Sequence, residues 1–212
     1  WSQCHELLRL TMPLARPAVR VAADTSGGVI ERPASPMTAR EMARWELPVI
    51  SWVASQAAAP GGGLAVLLDG PQGVDWDAGR LGVSLLRGPT WPDPGADRGW
   101  HRQRMALMPI AGSWNAAGVT QAAIAFREPG WWGPHPCIAK QWFPAMPAPL
   151  TPISLQKDAN GVCCRVLNAG PARCPWRPGH PWLIRRGVDD RFVDQVVLAP
   201  GELAALQLRQ SS

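Results

Sequence analysis

The 212-residue sequence contains no tyrosine and only three phenylalanines, and its lysines are confined to Lys140 and Lys157. Its 21 Lys plus Arg against 16 Asp plus Glu give a net charge of +5, carried almost entirely by Arg. These cations are scattered singly or in pairs such as Arg185-Arg186. A nucleic-acid footprint needs a clustered basic face, so the expectation is a mildly basic solvated surface and no nucleic-acid partner. No apolar run approaches the ~20 residues of a membrane span. The longest, such as Leu64–Leu68, are strand-sized, so no membrane partner is expected. The four histidines, His5, His101, His135 and His180, stand far apart and outside HxH or HExxH spacing. That argues against a metal site in this chain. The five cysteines are an odd number without a CxxC pair; Cys163 and Cys164 are adjacent, while Cys4, Cys137 and Cys174 are remote. A disulfide framework and a zinc knuckle are both disfavoured. Reduced, buried thiols and a cytoplasmic location are expected instead. Gly61-Gly62-Gly63 lacks the Lys-Ser/Thr of a phosphate loop, and no GxSxG elbow occurs.

What the chain does contain is apolar bulk and punctuation. Apolar residues make up 46% and charged residues 17%, a balance that belongs to a folded chain. The 23 prolines and 21 glycines are spread evenly. They fall roughly every 8–15 residues, which disfavours long helices and favours many short strands. Strands are predicted at Leu7–Leu14, Val19–Ala23, Val49–Ala54, Leu64–Leu68, Leu81–Leu86 and Trp100–Ile110. Thr38–Leu47 is expected to carry a short helix, with Thr38 as N-cap and Glu41 as its capping-box partner. Ala117–Phe126 is apolar enough for strand or helix, and periodicity does not separate them. The stretch Pro129–Pro152 is proline-rich and has Lys140 as its one charge, so it reads as a linker. Beyond it, Ile153–Lys157 and Val162–Leu167 form an expected hairpin across Asp158-Ala159-Asn160-Gly161. Val193–Leu198 and Leu203–Leu208 form another across Pro200-Gly201. The fold class is all-β, with one domain over residues 1–135 and a small terminal one over 150–212. The opening Glu6–Leu14 reads as a strand entered without a start signal, so a preceding segment is expected.

The most unusual local sequence is Thr90-Trp91-Pro92-Asp93-Pro94-Gly95-Ala96-Asp97-Arg98-Gly99. Two prolines hold Asp93 in an extended or turn conformation, and Gly99 permits a tight turn. An Arg and two carboxylates on a rigid loop suit contacts to sugar hydroxyls. From the residues alone, a loop whose Asp side chains cap its own backbone N–H groups is the favoured reading. The 12 tryptophans offer a parallel choice. Trp91, Trp100, Trp131 and Trp132 could stack on sugar rings or fill cores and seams. Trp91, in the unusual loop, is the best candidate for stacking.

A resemblance sharpens this reading. Leu81–Arg87, Pro89–Pro94, Ala96–Gly99 and His101 resemble the LRLSLLRxPTYPDPEADRGxH run of the family 38 glycoside hydrolases, the α-mannosidases. Gly63–Asp69, Gly28–Pro33 and His5–Arg9 resemble three further stretches of that family, and Gly112–Trp114 and Ala117–Val119 a fourth. There are departures. The family's RPTH becomes Arg32-Pro33-Ala34-Ser35, and its KYGYD becomes Pro71-Gln72-Gly73-Val74-Asp75. The resemblance implies the C-terminal β-sandwich region of such an enzyme: later strands of a large, galactose-mutarotase-like supersandwich, then a smaller sandwich. It implies a parent enzyme that hydrolyses terminal α-mannosides with retention. Its zinc and Asp nucleophile would lie in an N-terminal α/β barrel domain, which no segment here matches. Substrate, α-mannoside or oligomannose, and that barrel domain are the implied partners. Arg98 matches the position of an Arg that approaches the sugar, with Asp97, His101 and Trp91 as further substrate-binding candidates. No catalytic residue, metal or cofactor is expected in this chain, which is expected to be inactive alone. The rival expectation is a stand-alone carbohydrate-binding module using Trp91, Trp100 and Arg98; a truncated product without function is a third.

Overall fold

The computed structural model describes residues 7–26, 28–44, 46–58, 61–128, 143–159, 161–170 and 172–211. The sequence features at Cys4, His5, Trp131, Trp132, His135, Cys137 and Asn160 lie outside them. The chain divides into two compact units, Trp1–Pro129 and Gly130–Ser212. It is all-β, as the Pro and Gly punctuation requires, with antiparallel sheets throughout. No described helix is long and apolar enough to cross a membrane.

The first unit contains two sheets. One has the order β1 (Leu8–Pro13), β8 (Arg80–Leu86), β7 (Gln72–Asp77), β4 (Leu47–Val49). The other has the order β3 (Gly28–Pro33), β2 (Ala18–Thr25), β5 (Trp52–Ala57), β6 (Gly62–Leu68), β9 (Met105–Ala111). Side chains alternate across a strand, and here both sides of the five-stranded sheet are covered. Val21, Ala23, Val53, Val66 and Leu68 join Val49, Val74, Leu81 and Val83 in the core between the sheets. Ala22, Trp52, Ala54, Ala65 and Leu67 pack on the opposite side against Trp114 and helix α2 (Val119–Arg127). That double burial explains why Trp52–Ala54 of β5 and Leu64–Leu68 of β6 are apolar without alternation.

Three first-unit expectations need correction. Val49–Ala54 is two strands in different sheets. The chain turns at Ile50-Ser51, where the Ile50 N–H donates to the Asp24 carbonyl at 2.9 Å and the Ser51 hydroxyl to the Asp24 carboxylate. Trp100–Arg104 is not strand. Pairing between β6 and β9 ends at Leu68 opposite Met105, so the preceding residues have no partner strand. The helix expected over Thr38–Leu47 is only α1 (Ala39–Met42), because Leu47 is taken into β4 opposite Val74. Its capping box is present: Thr38 Oγ1 accepts from Glu41 N at 3.2 Å, and Glu41 Oε2 accepts from Thr38 N at 3.0 Å. The open segment at Ala117–Phe126 is helix. Val119, Ala122, Ala123 and Phe126 all face the sheet, and their i, i+3, i+4, i+7 spacing is helical.

The outer side of the four-stranded sheet is charged. Arg9 pairs with Asp75 at 2.5 Å and Glu46 at 3.2 Å, and Arg80 pairs with Asp75 at 2.9 Å and Asp77 at 3.0 Å. Gly82 lies opposite Asp75 in the ladder. A Cβ there would stand 2.1 Å from Asp75 Oδ1, so glycine leaves room for the carboxylate.

The second unit packs a sheet of order β10 (Leu150–Asp158), β11 (Gly161–Asn168), β15 (Leu203–Gln210), β13 (Trp182–Arg186) on the pair β12 (Cys174–Trp176) and β14 (Val196–Leu198). Cys164, Val166, Trp176, Ile184, Leu198, Leu206 and Leu208 fill the space between. The β10–β11 hairpin is in place, with Asp158 opposite Gly161. The closing hairpin is not. β14 pairs with β12, whereas β15 pairs with β11 and β13. Asn168 dictates this crossover. Fully buried, its Nδ2 donates to the carbonyls of Ala172, Leu198 and Ala199 at 2.8–3.0 Å, while Oδ1 accepts from Gly170 N at 3.0 Å. Its main chain bonds Glu202 and Gly201. Gly201 has φ 70°, a left-handed turn that glycine adopts without strain.

Cys163, Cys164 and Cys174 are free thiols, and burial pushes the Cys164 thiol up to about 12. Glu202 is held below the ordinary glutamate value of 4.5, first by the Arg186 guanidinium and then by the Ala199 N–H. Its oxygens also meet Arg186 in an ion pair.

Asn168→Ala removes a fully buried amide together with its bonds to the Ala172, Leu198 and Ala199 carbonyls and the Gly170 N–H, and costs about 2–4 kcal/mol. Hydrogen exchange is expected to show faster opening across β11, β14 and β15, with first-unit amides unaffected. Glu202 has its pKa depressed on folding, so its contribution is complete above pH 4.5 and is lost as pH falls through its lower native value. Acid unfolding of the second unit is therefore expected to be shallower in Glu202→Gln than in the parent sequence.

Candidate functional site

β8 ends at Leu86 and β9 begins at Met105, so the unusual loop is a long excursion between two strands of different sheets. Asp97 holds it. Its Oδ2 accepts from Gly88 N at 2.9 Å and Arg87 N at 3.3 Å, fastening the tip of the loop to the end of β8. Its own backbone has φ 62°, the one described non-glycine residue with positive φ. Such a conformation is uncommon outside glycine and is most tolerable for Asn and Asp. Its carbonyl oxygen lies 2.8 Å from His101 Nε2, so His101 closes the far end of the same turn. Asp93 makes a smaller turn, with Oδ1 accepting from Gly95 N at 2.8 Å and its carbonyl from Ala96 N at 3.1 Å. Both carboxylates therefore bind backbone N–H groups of their own loop.

Arg98 is left differently. Its N–H donates to the Gly95 carbonyl at 3.2 Å, but its exposed guanidinium has no hydrogen bond or ion pair among the described residues. Gly99 follows with φ 130°. Trp91 is 83% exposed and Trp100 fully exposed, so neither fills a core. By contrast Trp52, Trp114 and Trp176 are buried, with the Trp52 and Trp114 ring centroids 5.0 Å apart.

The structure thus joins Asp97, Arg98 and His101 in one turn and places Trp91 on the same exposed loop. Sequence reasoning missed the partners of Asp97. The amides of Arg87 and Gly88 carry no side-chain signature, and only Gly88, with φ 61°, hints at a special backbone. Among the described residues no group of three or more His, Cys, Asp or Glu side chains comes together as a metal site. The zinc implied by the resemblance therefore has no ligand set on them.

Comparison with known proteins agrees with the motifs. Residues 1–95 match the glycosyl hydrolases family 38 C-terminal domain. Alpha-mannosidase 2C1 of Homo sapiens is 33% identical over 144 residues, 67% of this chain and 14% of that protein. The Mus musculus protein of the same name is 32% identical over 129 residues, 61% of this chain and 12% of its own. Alpha-mannosidase G of Dictyostelium discoideum is 33% identical over 128 residues, 60% of this chain and 12% of its own. The chain therefore matches only a small part of each relative's length.

Asp97→Ala is expected to loosen the loop without unfolding the sandwich. Two hydrogen bonds to a charged acceptor are lost, worth ~1.5 kcal/mol or more, or about tenfold in the open population. Tryptic cleavage after Arg98 should accelerate accordingly, while thermal unfolding of the first unit barely moves. An unchanged cleavage rate would show that Asp97 does not hold the loop.

Proposed function

We propose, from the match of residues 1–95 to the C-terminal domain of the family 38 glycosyl hydrolases, that this chain serves as the non-catalytic β-sandwich region of a retaining α-mannosidase. In this reading it packs against a catalytic barrel domain and presents Arg98 to the terminal α-mannoside. The observation that carries the proposal is the contrast within the loop. Asp97 and Asp93 are committed to backbone N–H groups, whereas the Arg98 guanidinium is exposed and unengaged. An Arg fork offers five donors and never deprotonates, so it can hold sugar hydroxyls or a catalytic carboxylate. Asp97 and His101 then position Arg98, and Trp91 borders the sugar.

Retaining hydrolysis needs two carboxyl groups about 5–5.5 Å apart, one as acid and one as nucleophile. Two carboxylates already spent on loop geometry are poorly suited to either role. The nucleophile, the acid and the zinc, which would bind and polarise the sugar, are assigned to the barrel domain. The free thiols at Cys163, Cys164 and Cys174 support a reducing, cytoplasmic setting.

The exposure of Trp91 and Trp100 favours one alternative, a module that binds sugar by aromatic stacking without hydrolysis. Two measurements separate these readings. The purified chain with added zinc is expected to release no aglycone from an aryl α-mannoside above blank; turnover that survives repurification would overturn the proposal. Calorimetric titration with mannose oligomers is expected to be silent for an accessory region. Saturable binding abolished by Trp91→Ala would instead establish the module.

A further inference from the structure

The Gly28–Pro33 motif holds a residue that the proposed function does not use. In the β2–β3 ladder Ile30 lies opposite Ala23 and Arg32 opposite Val21. Val21 and Ala23 are core residues between the two sheets, and Ile30 packs on that core. Directly opposed residues share a side of the sheet, so Arg32 also enters the space between the sheets, at its rim. It is half-buried there. Its Nη1 is closed off from solvent without a hydrogen-bond partner, and among the described residues its guanidinium forms no ion pair.

Arg32 lines a cavity of about 280 Å³ with Pro33, Pro36, Met42, Arg44 and Trp76. Two carboxylates border the same cavity, and both are engaged elsewhere. Glu31 accepts from the Trp114 indole at 2.7 Å and pairs with Arg20 at 3.1 Å. Glu41 accepts from Met37 N at 2.8 Å and Thr38 N at 3.0 Å in the capping box. Arg32 Nη1 is thus a donor in this wall that neither carboxylate satisfies. A guanidinium N–H closed off from water without an acceptor is costly, and a bound oxyanion supplies that acceptor. The planar fork of Arg also matches carboxylate or phosphate oxygens two at a time.

The rest of the wall specifies the body of the ligand. Trp76 is anchored by its Nε1–H to the Pro33 carbonyl at 3.3 Å. With Pro33, Pro36 and Met42 it provides apolar surface of the kind that packs against the C–H face of a sugar ring. The volume is at the low end for ligand sites, which run from about 300 Å³, and so suits one ring and not an oligomer. We propose that this cavity binds a monosaccharide carrying a carboxylate or a phosphate, with Arg32 as its anion anchor. The site is built from residues other than those of the Trp91–His101 loop and stands whether or not the loop contacts mannosides.

Calorimetric titration of the 212-residue chain with glucuronate, mannose 6-phosphate, mannose and inorganic phosphate tests this. At least one charged sugar is expected to bind saturably and more tightly than mannose or inorganic phosphate. Whether the carboxylate or the phosphate arm responds identifies the anion. Arg32→Gln is expected to weaken that binding by about tenfold or more, the value of a charge-assisted hydrogen bond, while Trp91→Ala leaves it unchanged. Should Arg32→Gln fail to fold, Arg44→Gln, at an exposed residue lining the same cavity, provides the second test and is expected to weaken binding in the same direction. The proposal is overturned by silence with both charged sugars, by equal binding of mannose or of inorganic phosphate, or by affinity indifferent to the foldable variant.

Discussion

The central sheet of the first unit has no side that can face water. Val53, Val66 and Leu68 point one way and Trp52, Ala65 and Leu67 the other, so each side needs its own cover. The four-stranded sheet supplies one, and Trp114 with α2 supplies the second. Much of the irregular structure follows from this demand. The chain must leave β4 and enter a different sheet at β5, which it does at Ile50-Ser51 with Asp24 as the fixed point. It must also turn after β9 to lay α2 back across Trp52. Asp24 meets an opposing pressure there: burial raises its pKa, while the Ser51 hydroxyl and the Arg127 charge oppose the rise.

A comparable constraint organises the second unit, although its means are polar. Its six strands divide between a four-stranded sheet and the β12–β14 pair around one apolar core. The chain changes sheets between β14 and β15, and the carbonyls exposed by that change need donors. Asn168 provides them from within the core. A buried amide of this kind is worth little when satisfied and costs much when its partners are orphaned. The Arg9–Asp75–Arg80 group plays a similar part on the outer side of the four-stranded sheet. There the small size of Gly82 lets a carboxylate sit over the ladder between two guanidiniums.

The candidate loop was half legible. Its Pro, Gly and Asp content signalled a rigid excursion, and Asp93 does cap its own turn as short-range chemistry suggests. Whether Asp97 and Arg98 had different duties was not readable, because neighbouring polar residues look equivalent in a string. The distinction comes from Gly88, ten residues upstream of Arg98, whose amide captures the Asp97 carboxylate and leaves the guanidinium outside. The Arg32 cavity was less legible still. Its motif could be recognised, but only cross-strand pairing with Val21 shows that an arginine enters a sandwich rim.

By itself the sequence determined what depends on neighbours a few residues apart. It set the all-β class through Pro and Gly spacing, the Thr38–Glu41 capping box, the Asp158–Gly161 turn and the motifs that resemble family 38. Tertiary structure decided what depends on distant partners: the length of β9, the split of β4 from β5, the crossover of β14 and β15, and the helical state of Val119–Arg127. The physical reason is common to these cases. A strand exists only while another strand pairs with it, and an apolar segment takes whichever periodicity matches the surface it must cover.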